Sequence, residues 1–355
     1  GNTLVRNFRE TMDLVEEILL EPRWDEDELK RIKLSTINSI KRSSANPNVV
    51  SRNVRNKVLY GEKHMLAYPI SGSVTSVEAI TMNDLKSFYE NYFSPSVSRF
   101  HIVGNIDKEE VLTVLEDLES KWAVKEVSIP TYPLPEKRDK ASLYFVDIPN
   151  AKQSVIDIGY LSMARTDSDF FAATVMNYKL GGSFSGNVNL ILREEKGYTY
   201  GARTGFSGTK TPGTFSASSS VRTNTTYESV QIFKEEIEKY KNGITQEDLD
   251  FTKNALIKSN ARRFESQYSL LNMLQNISAY NLSSDYIAEE EQIIENMTLE
   301  QHKLLANKYL DATEMGYLVV GDAATQFENF KNAGFDEVIL LDKDAKEIKV
   351  LDIKL

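Results

Sequence analysis

The chain has 355 residues, 41 % hydrophobic and 26 % charged, which suits two folded units better than one. Its net charge of −10 argues against a nucleic-acid partner, because phosphate contacts need clustered Lys and Arg. The absence of cysteine excludes disulfides, thiolate metal sites and a Cys nucleophile, and no apolar run approaches the roughly 18 residues that a membrane-spanning helix needs.

Gly1-Asn2-Thr3 runs straight into an amphipathic helix, as a trimmed fragment would, with Met12, Val15, Ile18 and Leu19 on one stripe. A polar turn leads to a second, long helix that includes residues 28–42. Thr81 stands where the N-cap of a further helix belongs, with Asp84 three residues on. Residues 100–103, closed by Gly104, read as a short buried strand. Pro130, Pro133 and Pro135 lie amid charges within residues 123–142, which therefore read as an extended linker. Two strands follow over residues 143–147 and 154–158, then a helix over 170–180, a Gly-rich turn, a short helix, and strand-like runs over 198–206 and 214–221. Thr298 repeats the N-cap signal, and residues 317–320 before Gly321 repeat the buried strand.

These echoes form an internal repeat. Thr81 and Thr298, Tyr92 and Tyr309, and Gly104 and Gly321 are each 217 residues apart. Residues 143–221 have no counterpart in the first copy. By this register the counterpart would precede Gly1, so the first unit is expected to be truncated by roughly eighty residues. The expected fold is α+β, with two homologous α/β sandwich units. Residues 1–122 are a partial first unit, 123–142 the linker, and 143–355 a complete second unit.

Catalytic signals are sparse. The three histidines, His64, His101 and His302, share no spacing with one another or with a carboxylate that would make an H-x-x-E-H or H-E-x-x-H zinc helix. They read as structural or surface residues, with His101 in a strand and His302 in a helix. Gly181-Gly182-Ser183 is not followed by the Gly-Lys-Ser/Thr of a phosphate loop, and there is no G-x-S-x-G elbow. No metal ligand set and no catalytic residue are therefore assigned to this chain. The segment from Leu180 to Ala202 carries more information. Its glycines allow tight backbone approach to a ligand, and Gly197 is placed to end the helix that carries Arg193. Tyr200 falls in the next strand. An Arg at a helix end and a Tyr on the adjoining strand can converge on one carbonyl oxygen as two donors. The alternative is an ordinary surface salt bridge beside a half-buried strand tyrosine.

The run Leu192-Arg193-Glu194-Glu195-Lys196-Gly197-Tyr198-Thr199-Tyr200 resembles the Arg/Tyr motif of the pitrilysin/insulinase family of zinc peptidases, which includes the mitochondrial processing peptidases. As in that motif, Arg and Tyr are seven residues apart. Glu21-Pro22-Arg23-Trp24, Val58-Leu59-Tyr60-Gly61 with Pro69 and Gly72, Tyr92-Phe93-Ser94-Pro95 and Val103-Gly104-Asn105-Ile106 are similar to other stretches of the family, so the likeness covers nearly the whole chain. It implies paired halves that close around a peptide. One half holds zinc through H-x-x-E-H and a distant Glu, and the other offers the Arg/Tyr pair.

By this resemblance Arg193 and Tyr200 bind substrate carbonyls, Gly181 and Gly182 belong to a substrate-contacting loop, and the peptide adds as a strand to a sheet edge. The expected partners are a peptide or unfolded polypeptide and a zinc-bearing homologous subunit or half, with no cofactor on this chain. Ser39 stands where the resemblance places the distant zinc-ligand Glu, and a hydroxyl does not replace a carboxylate on zinc. Three readings follow: a zinc-free, substrate-clamping half; a non-proteolytic interaction relative; and a fragment of an active zinc endopeptidase, which needs upstream zinc residues and a substitute for Ser39.

Overall fold

A computed structural model describes residues 1–136, 140–331, 333–335 and 337–348. The linker reading falls partly on 137–139, and the second-unit reading partly on 332, 336 and 349–355, all outside the described residues. In chain order the first elements are α1 (Phe8–Leu20), α2 (Glu26–Ser43), α3 (Pro47–Tyr60), α4 (Val74–Ala79), α5 (Met82–Tyr92) and α6 (Lys108–Lys121). There follow β1 (Ser142–Asp147), β2 (Gln153–Leu161), α7 (Phe170–Asn177), α8 (Asn187–Asn189), β3 (Thr199–Phe206) and β4 (Thr214–Arg222). The last are α9 (Thr226–Tyr240), α10 (Gln246–Asn260), α11 (Gln267–Tyr280), α12 (Tyr286–Asn296), α13 (Leu299–Tyr309), β5 (Gly316–Gly321), α14 (Ala323–Gln326) and β6 (Glu337–Leu341). Among the described residues no helix is long and apolar enough to cross a membrane.

These elements gather into two compact units that cut across the sequence order. One takes residues 1–41, 71–131 and 261–282, the other 42–70, 132–260 and 283–355. The repeat thus trades segments: α3, from the first copy, belongs to the unit built mainly of the second, and α11, from the second copy, belongs to the unit built mainly of the first.

The first unit is helical among its described residues. Phe8 and Met12 of α1 pack on Val111 and Val114 of α6, with Ile102 and Ile106 against them. The Tyr89 hydroxyl donates to the Leu19 carbonyl at 2.6 Å, and Trp24 meets the Tyr89 ring edge-on. Thr81 caps α5 as its sequence predicts, in a reciprocal box with Asp84. Two expectations fail here. Ile18 is 71 % exposed rather than on the packed stripe, which runs through Phe8 and Met12 instead. Residues 100–103, including His101, form no strand. A strand persists only where ladder partners satisfy its backbone, and this unit has no sheet among the described residues.

The second unit is built on a mixed six-stranded sheet of order β3-β4-β2-β5-β1-β6. β1 runs parallel to β5 and β6, while β2 is antiparallel to β4 and β5, and β3 to β4. Period-two alternation divides the side chains. Leu143, Phe145, Ile156, Ile158, Tyr317 and Val319 enter the main core, with Met176 of α7, Phe233 and Ile237 of α9, and Ala306 of α13. Val146, Val155, Leu318 and Val320 face the other way, and Val50 and Val54 of α3 cover them. α3 starts with Asn46 as N-cap, its side chain accepting from the Asn48 amide, and Pro47 at the first turn. It covers only part of that face, and the part over β3 and β4 is left open.

Two histidines are structural. His64 caps a short 3-10 turn, its Nδ1 accepting from the Leu66 amide at 3.1 Å while its ring stacks on Tyr60. His302 of α13 is buried, with Nε2 3.2 Å from the Met176 carbonyl and 3.1 Å from the Tyr240 hydroxyl. Burial pulls its pKa down to about 4, against a smaller opposing effect of the Met176 carbonyl.

Candidate functional site

The open part of the sheet floors a cavity of about 980 Å³ that lies wholly within the second unit. α3 forms one wall through Asn48, Ser51, Arg52 and Arg55. Residues 181–184 and Tyr200 border it elsewhere. The floor is set by β4, where Phe215, Ala217, Ser219 and Val221 point into the protein and Ser216, Ser218 and Ser220 point outward, half-buried. Small hydroxyl side chains leave room above the sheet that larger residues would fill.

Tyr200 sits on a β-bulge. The register between β3 and β4 shifts between Thr199 and Ala202. The bulge is held by the Thr199 hydroxyl, which accepts from the Gly201 amide at 3.0 Å and lies 2.7 Å from the Ser220 carbonyl, and by the Ser219 hydroxyl, which donates to the Gly201 carbonyl at 2.9 Å. A bulge re-aims the side chain it carries. Tyr200 is accordingly 91 % exposed, not half-buried as an ordinary strand tyrosine would be.

Arg193 lies on the wide π turn Leu190–Glu195 that continues α8. Gly197, at φ 62°, ends that turn as expected, in a conformation that a residue with a Cβ rarely adopts. The Arg193 guanidinium stacks 4.4 Å above the Phe184 ring and pairs with Glu194 at 2.8 Å. Phe184 lines the cavity and Arg193 does not. The surface salt bridge that the sequence left open therefore exists, beside a cation–π contact with the cavity wall.

Gly181 and Gly182 belong to a second π turn, Tyr178–Gly182, which continues α7, rather than to a free loop. Both line the cavity. A Cβ on Gly181 would meet the Thr204 amide nitrogen at 2.7 Å, so only glycine lets this turn lie against β3. Two asparagines that the sequence reading did not single out tie the turns to the strand. Asn189 accepts from the Ala202 amide at 3.0 Å and donates to the Phe184 carbonyl at 2.7 Å. Asn177 donates to the Thr204 carbonyl at 3.0 Å and accepts from the Thr204 hydroxyl at 2.6 Å. Both are buried. A polar amide inside an apolar helical run was their only signal. Asn189→Ala strands the Ala202 amide and is expected to cost about 1–2 kcal/mol, read as a lower urea midpoint at constant slope.

Their effect on β3 is direct. It is an edge strand, yet its outward Ala202 amide and Thr204 carbonyl already have partners. Strand addition at those two positions would have to displace Asn189 and Asn177.

α3 is locked over the cavity floor by an ion pair. Arg55 Nη1 donates to Asp157 Oδ2 of β2 at 2.9 Å. Asp157 is buried, and its Oδ1 has no hydrogen-bond partner among the described residues. Burial pushes its pKa up to about 6, Arg55 only partly offsetting it. The donor set does not fit zinc. Among the described residues no histidine lines the cavity, and the one carboxylate that does is held by Arg55. Among the described residues no group of three or more His, Asp or Glu side chains is placed to hold a metal ion. Ser39, on α2, is exposed.

Comparison with known proteins matches this architecture. A family model described as the peptidase M16 inactive domain matches residues 79–256, half of the chain. An uncharacterized zinc protease of Streptomyces coelicolor is 25 % identical over 221 residues, 61 % of this chain and 48 % of its own length, so the chain spans about half of that relative. A non-peptidase homolog of Helicobacter pylori is 21 % identical over 88 % of this chain and 72 % of its own length. The crystal structure of a peptidase M16 inactive domain from Pseudomonas fluorescens superposes with a TM-score of 0.81 at 24 % identity, covering 90 % of this chain and 76 % of that one. With its sheet, its repeat and its Arg/Tyr segment, the chain belongs to the peptidase M16 family, by way of that family's inactive domain.

Proposed function

We propose that this chain is a substrate-holding half of an M16-type peptidase, gripping an extended peptide with Tyr200 and Arg193 while a zinc-bearing homologous half cuts it. The observation that carries this reading is the bulge, which holds a tyrosine 91 % exposed at the edge of a large cavity. Arg193, stacked on the cavity-lining Phe184, offers a second donor group behind that wall. Both groups can donate to peptide carbonyls or to a developing oxyanion. The peptide lies over the open serine face and Tyr200, since the β3 edge is already occupied at Ala202 and Thr204.

The test is to mix the chain with its zinc-bearing homologue and follow cleavage of a quenched peptide. Arg193→Ala and Tyr200→Phe are each expected to slow the mixture about tenfold or more, as loss of an oxyanion donor does. An unchanged rate would sink the proposal. A second reading, an interaction protein that has kept the fold without proteolysis, is favoured by the non-peptidase designation of the Helicobacter relative. It expects no change in rate from either substitution.

A further inference from the structure

The cavity beside Tyr200 is cationic although the protein is acidic. Its charged lining consists of Arg52, Arg55, Arg203 and Asp157, in a chain of net charge −10. Arg55 is committed to Asp157. Arg52, on the exposed side of α3, and Arg203, on the outer face of β3, form no salt bridge among the described residues. They enter from two different elements, with Ser216 and Ser218 of β4 also in the lining, hydroxyls that make no hydrogen bond among the described residues. Guanidinium groups and serine hydroxyls are all donors toward a carboxylate, and Asp157, the one acid lining the cavity among the described residues, is engaged.

We infer that this cavity selects acidic side chains of the polypeptide it holds, with Arg52 and Arg203 as the residues that set the preference. The inference rests on the reading above that the groove takes an extended peptide, and adds the chemical class of that peptide. Arg55 serves a separate purpose. Its pairing with Asp157 fixes α3 and keeps that buried carboxylate from repelling an acidic ligand.

The experiment uses the full chain and three dye-labelled peptides of one length, differing only in a central Asp-Glu, Asn-Gln or Lys-Lys pair, with binding read by anisotropy. The acidic peptide is expected to bind about tenfold more tightly than the amide peptide at low salt, the gain of two exposed ion pairs, and the gap to close in high salt. Arg52→Glu with Arg203→Glu should reverse the order in favour of the lysine peptide. Both side chains are exposed, so the reversal tests charge rather than folding. Tyr200→Phe should weaken all three peptides alike. Equal binding of the acidic and amide peptides, or an acidic preference that survives the double reversal, overturns the inference while leaving the peptide-holding reading in place. Failure of all three to bind overturns both.

Discussion

Arg55→Ala is expected to lower stability by about 3 kcal/mol at neutral pH, near the low end of what removing one partner of a buried ion pair costs. The loss is large because of what remains. Asp157 is buried on the cavity floor, and its Oδ1 has no hydrogen-bond partner among the described residues even with Arg55 in place. Without the guanidinium its pKa, already up to about 6, rises further. The penalty should therefore shrink on acidification, as the carboxylate takes a proton and stops being a buried charge. Urea unfolding of wild type and variant at about pH 7 and about pH 5 measures this, with the difference between the two proteins narrowing at the lower pH. Arg55→Met with Asp157→Leu should recover most of the loss, because it removes both charges together. An equal penalty at both pH values would mean that Asp157 is not the charge being protected.

His302 is expected to make the fold acid-labile. Its folded pKa is about 4 against 6.5 for the free side chain, so between those values the unfolded chain binds a proton that the folded chain refuses. Stability falls as pH drops through that window, by on the order of 3 kcal/mol at its lower end. Asp157 works in the opposite sense. Its folded pKa lies above the ordinary 3.8, so the folded state keeps a proton that the unfolded state has released, and stability rises as pH falls through about 6. The two partly cancel in the wild type. His302→Gln should remove the acid loss and uncover the Asp157 gain, and Asp157→Asn should steepen the decline. Chemical denaturation across the range, with the three proteins compared, gives the two slopes. A His302→Gln profile parallel to wild type would show that the ring takes up its proton equally in the folded and unfolded states.

Most of the second unit was legible in the sequence, for identifiable reasons. Its strands include short apolar runs such as Leu143-Tyr144-Phe145-Val146, and Thr298 and Gly197 mark helix ends by local chemistry that needs no tertiary context. Where tertiary context decides, the reading failed. Residues 100–103 repeat the position of residues 317–320, but among the described residues only the latter have strands to pair with, so one run lies in β5 and its repeat partner is not a strand. The candidate site divides in the same way. Gly181, Gly182, Arg193 and Tyr200 carried a spaced motif. The asparagine ties to β3 and the Arg55–Asp157 pair join residues 13 to 102 positions apart, and nothing local announces them or the bulge under Tyr200.

The membership of α3 in the second unit has a practical consequence. A polypeptide started at the proline-rich stretch, where the sequence invites a cut, would keep all six strands yet leave Val146, Val155, Leu318 and Val320 bare. Such a strip of β-branched and leucine side chains on a flat sheet invites self-association. A soluble excised second half would thus need residues 47–60 added back, either fused ahead of the sheet or supplied as a separate peptide, and its solubility with and without them would report how much that one helix shields.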